Sequence, residues 1–432
     1  MKQLNFITEE IHGTRLHFLQ TDKYKTTIAV INIAIDLTEE NVTKVALLPY
    51  LLKRGCKNYP SIIKLQEELD SLYGTLLSID LFKRGEQQIV QFSIEAVNER
   101  YLSSDINVLL KAFILLTQVI VEPLNTEEGF NKAYLETEKL LLANRVQSIL
   151  DDKIRYAEYK TIEHMYEGEP YRLLVYGQTE DLKEIDGTNL YKFYLNWLHS
   201  SPIDIFIVGD TDISEISNII KNNFNFLGSK NSFQPQKERK FSIKEKLVTE
   251  ELDINQSKLN LGLRSKINIS SDAYIDLLVY NGILGGFAHS KLFVNVREKA
   301  SLAYYASSKL ESHQGIITIQ SGIEEEQFTA ALKIIREQLV MIRNGQVSEQ
   351  ELVLTKALYK NQFMEIIDQP RRLVDFQYHS ILSGKRRTIM DYQRSIAEVK
   401  LEDVVSVANQ VEIDTIYFLT GRGGKQYANI KL

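Results

Sequence analysis

The chain of 432 residues contains a single cysteine, Cys56. One thiol excludes an intramolecular disulfide framework and any structural zinc site built on two or more cysteines. Proline and glycine are also scarce, with 7 and 21 residues, which excludes collagen-like and long low-complexity tracts. We therefore expect a chain that is folded over nearly its whole length and works in a reducing compartment.

Long apolar runs and an excess of positive charge are missing as well. No stretch approaches the ~18 uncharged apolar residues of a membrane span. Glu9 and Glu10 stand where a signal peptide would carry its apolar segment. The 51 Lys and Arg are outnumbered by 57 Asp and Glu, and neither end carries a basic arm. These absences predict a cytoplasmic protein that binds neither membranes nor nucleic acids.

The sequence does contain an internal repeat. The string Leu47-Leu48-Pro49-Tyr50 is echoed by Leu277-Leu278-Val279-Tyr280, and the stretch 69–95 resembles 296–324. A polar, basic stretch at 229–246 separates the two halves. We therefore predict a duplicated domain, with an N-terminal copy at 1–228, a linker at 229–246 and a C-terminal copy at 247–432.

Both halves show the same order of patterns, which is a strand, a helix, a hairpin, several helices and a last strand. Each half is therefore predicted to be α+β, with a mainly antiparallel sheet covered by helices. Strands are predicted at 26–35, 74–82, 87–97, 203–208 and 415–421. Helical periodicity covers 101–122, 127–165, 179–199, 325–344, 348–366, 370–383 and 391–410.

Four strings resemble the pitrilysin/insulinase family, which includes mitochondrial processing peptidase. They lie at 151–185, 202–210, 285–308 and 347–373. The third is the most specific, since family members carry Ser-Arg/Lys-Leu-Phe followed by V-R-E-K-x-x-L-A-Y, as Ser290–Phe293 and Val296–Tyr304 do here. The resemblance implies two LuxS/MPP-like metallohydrolase domains arranged as half of a clam-shell.

Active members of that family carry H-x-x-E-H, whose two histidines share one helix face and bind zinc. No two histidines of this chain are four residues apart. The family alignment places Ala46, Pro49 and Tyr50 at the three motif positions and Arg145 at the third zinc ligand. Since none of these side chains is a suitable zinc ligand, we expect no metal, no cofactor and no catalytic residue in this chain.

The second half retains residues that the resemblance assigns to substrate binding. Arg297 and Tyr304 match the family's Arg and Tyr, which hold the substrate backbone and the developing oxyanion, and Gly285 and Gly286 form the adjoining glycine-rich turn. Each also has an ordinary structural explanation. An Arg-Glu-Lys stretch is commonly a solvated helix face, a Tyr in this setting commonly packs, and paired glycines commonly form a turn.

The resemblance therefore implies a protein that is inactive alone and acts as the non-catalytic subunit of a heterodimeric zinc peptidase. Zinc and the H-x-x-E-H motif are expected in the partner subunit, and a peptide substrate is expected to bind as an added strand on a sheet edge. The alternative is a scaffold or peptide-binding protein without a proteolytic partner. Independent hydrolysis at another metal site would need clustered ligands that the sequence lacks.

Overall fold

The computed structural model describes residues 5–103, 106–224 and 244–421. Most of the predicted linker lies outside these ranges, and the predicted sequence limits of the two domains stay a prediction. The chain forms two compact units. The first contains Met1–Gln147, Leu173–Gln234 and Pro370–Asp375, and the second contains Ser148–Arg172, Pro235–Gln369 and Phe376–Leu432.

The first unit is built on a six-stranded sheet. Its strands follow the order β1-β2-β8-β3-β5-β4, and neighbours are antiparallel except for the parallel pair β2 and β8. The central strand β3 is buried along most of its length, in keeping with its nearly continuous apolar sequence. The strands are β1 (Ile7–Ile11), β2 (Thr14–Gln20), β3 (Thr26–Asp36), β4 (Leu76–Arg84), β5 (Gln87–Val97), β6 (Asn125–Thr126), β7 (Gly129–Phe130) and β8 (Ile203–Gly209), of which β6 and β7 form a separate short hairpin.

The second unit is built on a five-stranded sheet in the order β11-β12-β10-β13-β9, with β9 and β13 parallel. The two sheets match strand by strand from one edge, with β4 equivalent to β11, β5 to β12, β3 to β10, β8 to β13 and β2 to β9. This match confirms the predicted duplication of an α+β domain. The strands are β9 (Lys246–Leu252), β10 (Ser257–Ser265), β11 (Ala303–Glu311), β12 (Ile316–Ile323) and β13 (Val411–Gly421).

Helices cover the sheets, and each unit has its own apolar core. None of the helices in the described ranges is long and apolar enough to cross a bilayer. The helices are α1 (Val42–Leu52), α2 (Ile62–Ser71), α3 (Val108–Val121), α4 (Lys132–Asp151), α5 (Lys153–Met165), α6 (Gly187–Ser200), α7 (Ile213–Asn223), α8 (Tyr274–Asn281), α9 (Phe328–Arg343), α10 (Glu349–Ile366), α11 (Pro370–Ser383), α12 (Ile389–Glu398) and α13 (Leu401–Ala408). Two π-helical turns, Gly282–Gly286 and Phe293–Lys299, follow α8.

Three of the predicted helices are wrong in one respect, because each is divided. The run predicted at 179–199 splits into a 3-10 turn (Glu180–Lys183) and α6, which begins at a capping box formed by Asp186. The run predicted at 127–165 splits into α4 and α5, since the Asp152 side chain accepts hydrogen bonds from the amides of Ile154 and Arg155 and starts a new helix.

The run predicted at 391–410 splits into α12 and α13. A capping box formed by Thr388 begins α12. The break follows at Lys400, which is extended and whose amide donates to the Asp403 carboxylate in the first turn of α13 at 2.8 Å.

Replacing Thr388 with alanine is expected to lower the free energy of unfolding by about 1 kcal/mol. The Thr388 hydroxyl accepts from the Asp391 amide at 3.1 Å and donates to the Asp391 carboxylate at 2.7 Å. The hydrogen bonds that the Thr388 hydroxyl and the Thr388 amide donate to the carboxylate lower the pKa of Asp391. Their contribution is therefore present above the ordinary carboxyl pKa and is lost as pH falls through the lowered value. Urea denaturation at pH 7 and at decreasing pH should show the difference between variant and native protein shrinking with acidification. Thr388→Ser, which keeps the hydroxyl, is the control and should remain close to native.

Candidate functional site

The zinc position that the family resemblance implies lies on helix α1. Ala46 and Pro49 are buried in the core of the first unit, where neither offers an atom that could bind a metal. Tyr50, one residue further along, is only half-buried, and its hydroxyl reaches the surface of the helix. Of the three motif positions, Tyr50 is therefore the one that carries a polar group.

Helix α4 brings Arg145 to Tyr50, as the family alignment predicts. The Arg145 Nη1 donates a hydrogen bond to the Tyr50 hydroxyl oxygen. Its guanidinium lies over the Tyr50 ring at 4.9 Å and over the Tyr176 ring at 5.4 Å from the ring centroids. Burial raises the pKa of Tyr50 although the charge of Arg145 opposes the rise, so the tyrosine is a neutral phenol at neutral pH.

Two further basic residues of the first unit, Arg54 and Lys53, were not predicted from the sequence as site residues. Arg54 binds the carboxylate of Glu138, with its Nε at 2.6 Å and its Nη2 at 2.5 Å from Oε1. Glu138 is only 3% exposed, so this ion pair is largely withdrawn from water. Lys53 is half-buried, and burial lowers its pKa, with the Asp80 charge opposing and the Arg145 charge reinforcing that effect.

These residues do not fit a zinc ion. Arg145 and Lys53 are cations without a free lone pair at neutral pH, and a neutral tyrosine is a poor zinc ligand. Glu138 is a carboxylate, but Arg54 already holds it. Among the residues that the structure describes, no group of three or more His, Cys, Asp or Glu side chains could hold a metal ion. The first unit therefore offers cationic donors at the position where an active relative has zinc.

In the second unit, Arg297 and Tyr304 lie on consecutive elements rather than on one helix. Arg297 is exposed on the π-helical turn Phe293–Lys299, and its guanidinium lies 4.6 Å from the centroid of the Phe293 ring. Tyr304 is the second residue of β11. No hydrogen bond joins the two side chains within the described ranges, and both residues are exposed.

A break in strand pairing directs Tyr304 outward. Ala303 pairs with Ile323 and Tyr305 with Gly322, so Tyr304 is the extra residue of a bulge in the ladder between β11 and β12. Its side chain is 62% exposed, and its hydroxyl donates to Glu324 Oε1 at 2.7 Å. That hydrogen bond raises the pKa of Tyr304 and keeps the phenol protonated. A tyrosine that a bulge directs into solvent is typical of a side chain that contacts another molecule.

The two glycines differ in their surroundings. Gly285 is buried, and a Cβ there would lie 2.5 Å from the Ser308 amide nitrogen of β11, so close packing alone accounts for this glycine. Gly286 is exposed, and a Cβ there would meet Asn281 at 3.2 Å. A contact of either glycine with substrate stays a prediction.

Three residues near Arg145, namely Tyr176, Lys53 and Arg54, were not predicted from the sequence. Tyr176 lies in a loop more than a hundred residues along the chain from Tyr50, so no local spacing could connect them. Lys53 and Arg54 follow α1 immediately and could have been noted, because both come within one turn of the second motif histidine's position. A search for metal-binding residues does not select them, because both side chains are cations.

The chain resembles known proteins over nearly its whole length. The model of the peptidase M16 inactive domain matches residues 184–359. The protein called probable inactive metalloprotease YmfF of Bacillus subtilis is 37% identical over 424 residues, which cover 98% of this chain and all of that protein.

Solved structures are also similar to this chain over nearly its whole length. A conserved protein from Enterococcus faecalis is 32% identical and superposes with a TM-score of 0.89 over 98% of this chain and all of that one. A peptidase M16 inactive domain from Pseudomonas fluorescens has the same fold, with a TM-score of 0.82 at 15% identity over 98% of this chain and all of that one. With these likenesses, and with the string ending at Tyr304 in place on β11, the chain belongs to the peptidase M16 family, that of pitrilysin and insulinase, as a member without the H-x-x-E-H motif.

Proposed function

We propose that this chain is the non-catalytic subunit of a two-chain zinc peptidase and supplies Arg297 and Tyr304 to the active site of its partner. The observation that carries the proposal is that the bulge in β11 directs Tyr304 outward, seven residues after the exposed Arg297. A protein that served only as a scaffold would not need an exposed tyrosine and an exposed arginine at these positions. The family membership and the name of the Bacillus subtilis relative, probable inactive metalloprotease, support a role without catalysis of its own.

In this proposal, the partner holds the zinc ion and the H-x-x-E-H motif. Arg297 contributes a planar, permanently charged group with several N–H donors, and Tyr304 contributes one O–H donor. Donors of this kind bind the carbonyl oxygens of a peptide and stabilise the negative charge that develops on the attacked carbonyl. To donate to the substrate, the Tyr304 hydroxyl must release Glu324, which then remains close by as an acceptor.

Strand β11 is also suited to hold the substrate itself. It is the last strand of its sheet, and β12 is its one neighbour there. An extended peptide that pairs with the outer edge of such a strand gains main-chain hydrogen bonds without the need for a particular sequence. Because Tyr304 lies on this strand, a peptide bound there would pass directly beside its hydroxyl.

The test is the peptidase activity of an H-x-x-E-H family protein from the same genome, measured alone and mixed with this chain. Native chain should raise the partner's rate of peptide cleavage. Tyr304→Phe and Arg297→Ala should each lower the turnover of the mixture about tenfold, since each removes a hydrogen bond made to the reacting carbonyl. Zinc content of the partner should be unchanged.

Two exposed residues elsewhere serve as matched controls, Tyr101→Phe and Arg155→Ala, and both should leave the rate of the mixture unaltered. Full activation by the Tyr304 and Arg297 variants would contradict the assigned roles. If native chain neither binds nor activates any H-x-x-E-H protein of the genome, the subunit proposal fails and a peptide-binding scaffold takes its place.

A further inference from the structure

The second unit contains a cavity of about 490 Å³ that the proposed function does not involve. It lies between the end of α9 and the beginning of α10, and residues between His289 and Lys299 also line it. Its volume falls within the range of about 300–1,000 Å³ that is usual for sites of small ligands. The cavity is therefore large enough for a ligand of the size of one or two amino-acid residues.

The charged residues that line this cavity leave one lysine without an ion-pair partner. Lys291 is 4% exposed, and its Nζ lies 3.0 Å from Glu351 Oε1, so these two charges neutralise each other. Burial lowers the pKa of His289 although the Glu351 carbonyl and carboxylate oppose this effect, and the imidazole is neutral at pH 7. Lys299 forms no ion pair with any carboxylate in the part of the chain that the structure describes. The lining therefore carries one net positive charge.

A chain of side-chain amides holds Lys299 at the cavity. Asn295 Oδ1 accepts from Lys299 Nζ at 3.2 Å, and Asn295 Nδ2 donates to Gln338 Oε1 at 2.7 Å. Gln338 is 3% exposed and donates in turn to the Ile334 carbonyl at 3.2 Å, which fixes the orientation of both amides. An ammonium group has three N–H donors, and Asn295 accepts from one of them. Lys299 can therefore bind a carboxylate without giving up this contact.

Apolar side chains and a further amide line the same cavity. Val294 and Met341 are partly buried, and Leu354 is 41% exposed. An apolar group bound against these three side chains would withdraw their surface from water. Gln350 adds an exposed amide that can donate to and accept from a peptide group. A cation, an apolar wall and an amide together match the carboxylate, the side chain and the last peptide group at the C-terminus of a peptide.

We propose that this cavity binds the C-terminal residue of a peptide whose last side chain is apolar. The carboxylate pairs with Lys299, the side chain packs against Val294, Met341 and Leu354, and the last peptide group hydrogen-bonds to Gln350. The inference rests on the proposed function only for the source of the ligand, since a peptidase releases peptides that end in a new carboxylate. It adds a site at which this chain retains such peptides by their ends.

The experiment titrates the full chain with four small probes, and binding is followed by saturation-transfer NMR. N-acetyl-leucine carries the carboxylate, the apolar side chain and one amide, and it should bind with a Kd of about 1 mM. N-acetyl-leucinamide lacks the negative charge and should bind about fivefold more weakly. N-acetyl-glycine lacks the apolar side chain and should bind about tenfold more weakly. Hexanoate keeps the charge and an apolar chain but has no amide, and it should also bind more weakly than N-acetyl-leucine.

Variants of exposed residues assign the binding to this cavity. Lys299→Gln should bind N-acetyl-leucine no more tightly than N-acetyl-leucinamide, since the charge that distinguishes the two probes is gone. Leu354→Ser should weaken the binding of N-acetyl-leucine at least threefold. Lys333→Gln and Leu140→Ser replace an exposed lysine and an exposed leucine outside the cavity, and both should bind all four probes as the native chain does. Circular dichroism establishes that the variants are folded.

Three results would overturn the inference, namely no binding of any probe, equal binding of N-acetyl-leucine and N-acetyl-leucinamide, or a charge preference that survives in Lys299→Gln. Hexanoate binding as tightly as N-acetyl-leucine would overturn the assignment to peptide ends in favour of free aliphatic acids. None of these titrations includes the zinc partner. Failed binding with intact activation of the partner would therefore leave the proposed function standing, and intact binding without activation would leave this site standing.

Discussion

Replacing Arg54 with methionine is expected to lower the free energy of unfolding of the first unit by about 3 kcal/mol. Arg54 is the ion-pair partner of Glu138, whose carboxylate is almost fully buried between α4 and the end of α1. Methionine preserves much of the packing of the arginine stem but leaves an uncompensated buried carboxylate. We place the loss at the lower end of the range for broken buried ion pairs because Arg54 is itself partly exposed. The midpoint of urea denaturation, followed by circular dichroism, measures it.

The double variant Arg54→Met with Glu138→Leu separates desolvation from packing. Removing both charges takes away the unpaired carboxylate, so the double variant should recover most of the stability lost by Arg54→Met. A single variant as stable as the native chain would show that Glu138 finds another partner or reaches water.

Replacing Gly55 with alanine is expected to destabilise the first unit by a similar amount, about 3 kcal/mol. Gly55 has φ of +138°, a conformation that residues with a side chain rarely adopt. A Cβ there would lie 2.3 Å from the Tyr59 carbonyl oxygen and 3.1 Å from the Ser61 amide nitrogen, both backbone atoms. The turn from α1 to α2 would have to move, and with it Cys56, whose amide donates to the Tyr59 carbonyl.

Gly74→Ala provides the matched comparison for Gly55→Ala. Gly74 also has a positive φ, +69°, but no atom lies within 4 Å of the position a Cβ would take. Replacing Gly74 with alanine should lower the free energy of unfolding only by the backbone strain of a positive φ, about 1 kcal/mol. Urea denaturation of the two variants side by side therefore separates steric clash from backbone strain. Equal losses for Gly55→Ala and Gly74→Ala would show that the turn after α1 relaxes freely.

Elements with a clear signal in their own residues were predicted closely from the sequence. The nearly continuous apolar run of β3 and the proline at the first turn of α11 allowed both elements to be placed within a residue or two. The divisions between α4 and α5 and between α12 and α13 were missed. Helical periodicity continues across both breaks, and in each case a single side-chain carboxylate, that of Asp152 or Asp403, accepts a backbone N–H at the start of the next helix.

The candidate site was predictable where the family motif could be aligned, and not beyond it. The motif alignment predicts that Tyr50 and Arg145 share one site, and in the folded chain the two side chains are in contact. It could not foresee Tyr176, since its approach to Arg145 depends on tertiary packing between distant segments. Nor could it foresee the bulge at Tyr304, because a bulge depends on the register of β11 against β12, which no single strand encodes.

Each unit contains segments from separate parts of the chain, and this limits what a single proteolytic cut can separate. Helix α5 packs on β10 and β13 of the second unit although it lies within the first half of the sequence. The chain passes from one unit to the other repeatedly, at 147/148, 172/173, 369/370 and 375/376 among the described residues. A protease that cuts the backbone once, between residues 172 and 173, would therefore release neither unit, since other covalent crossings still connect them. The part of the chain before α8 thus supplies α5 to the second unit, and the part after it supplies residues 370–375 to the first.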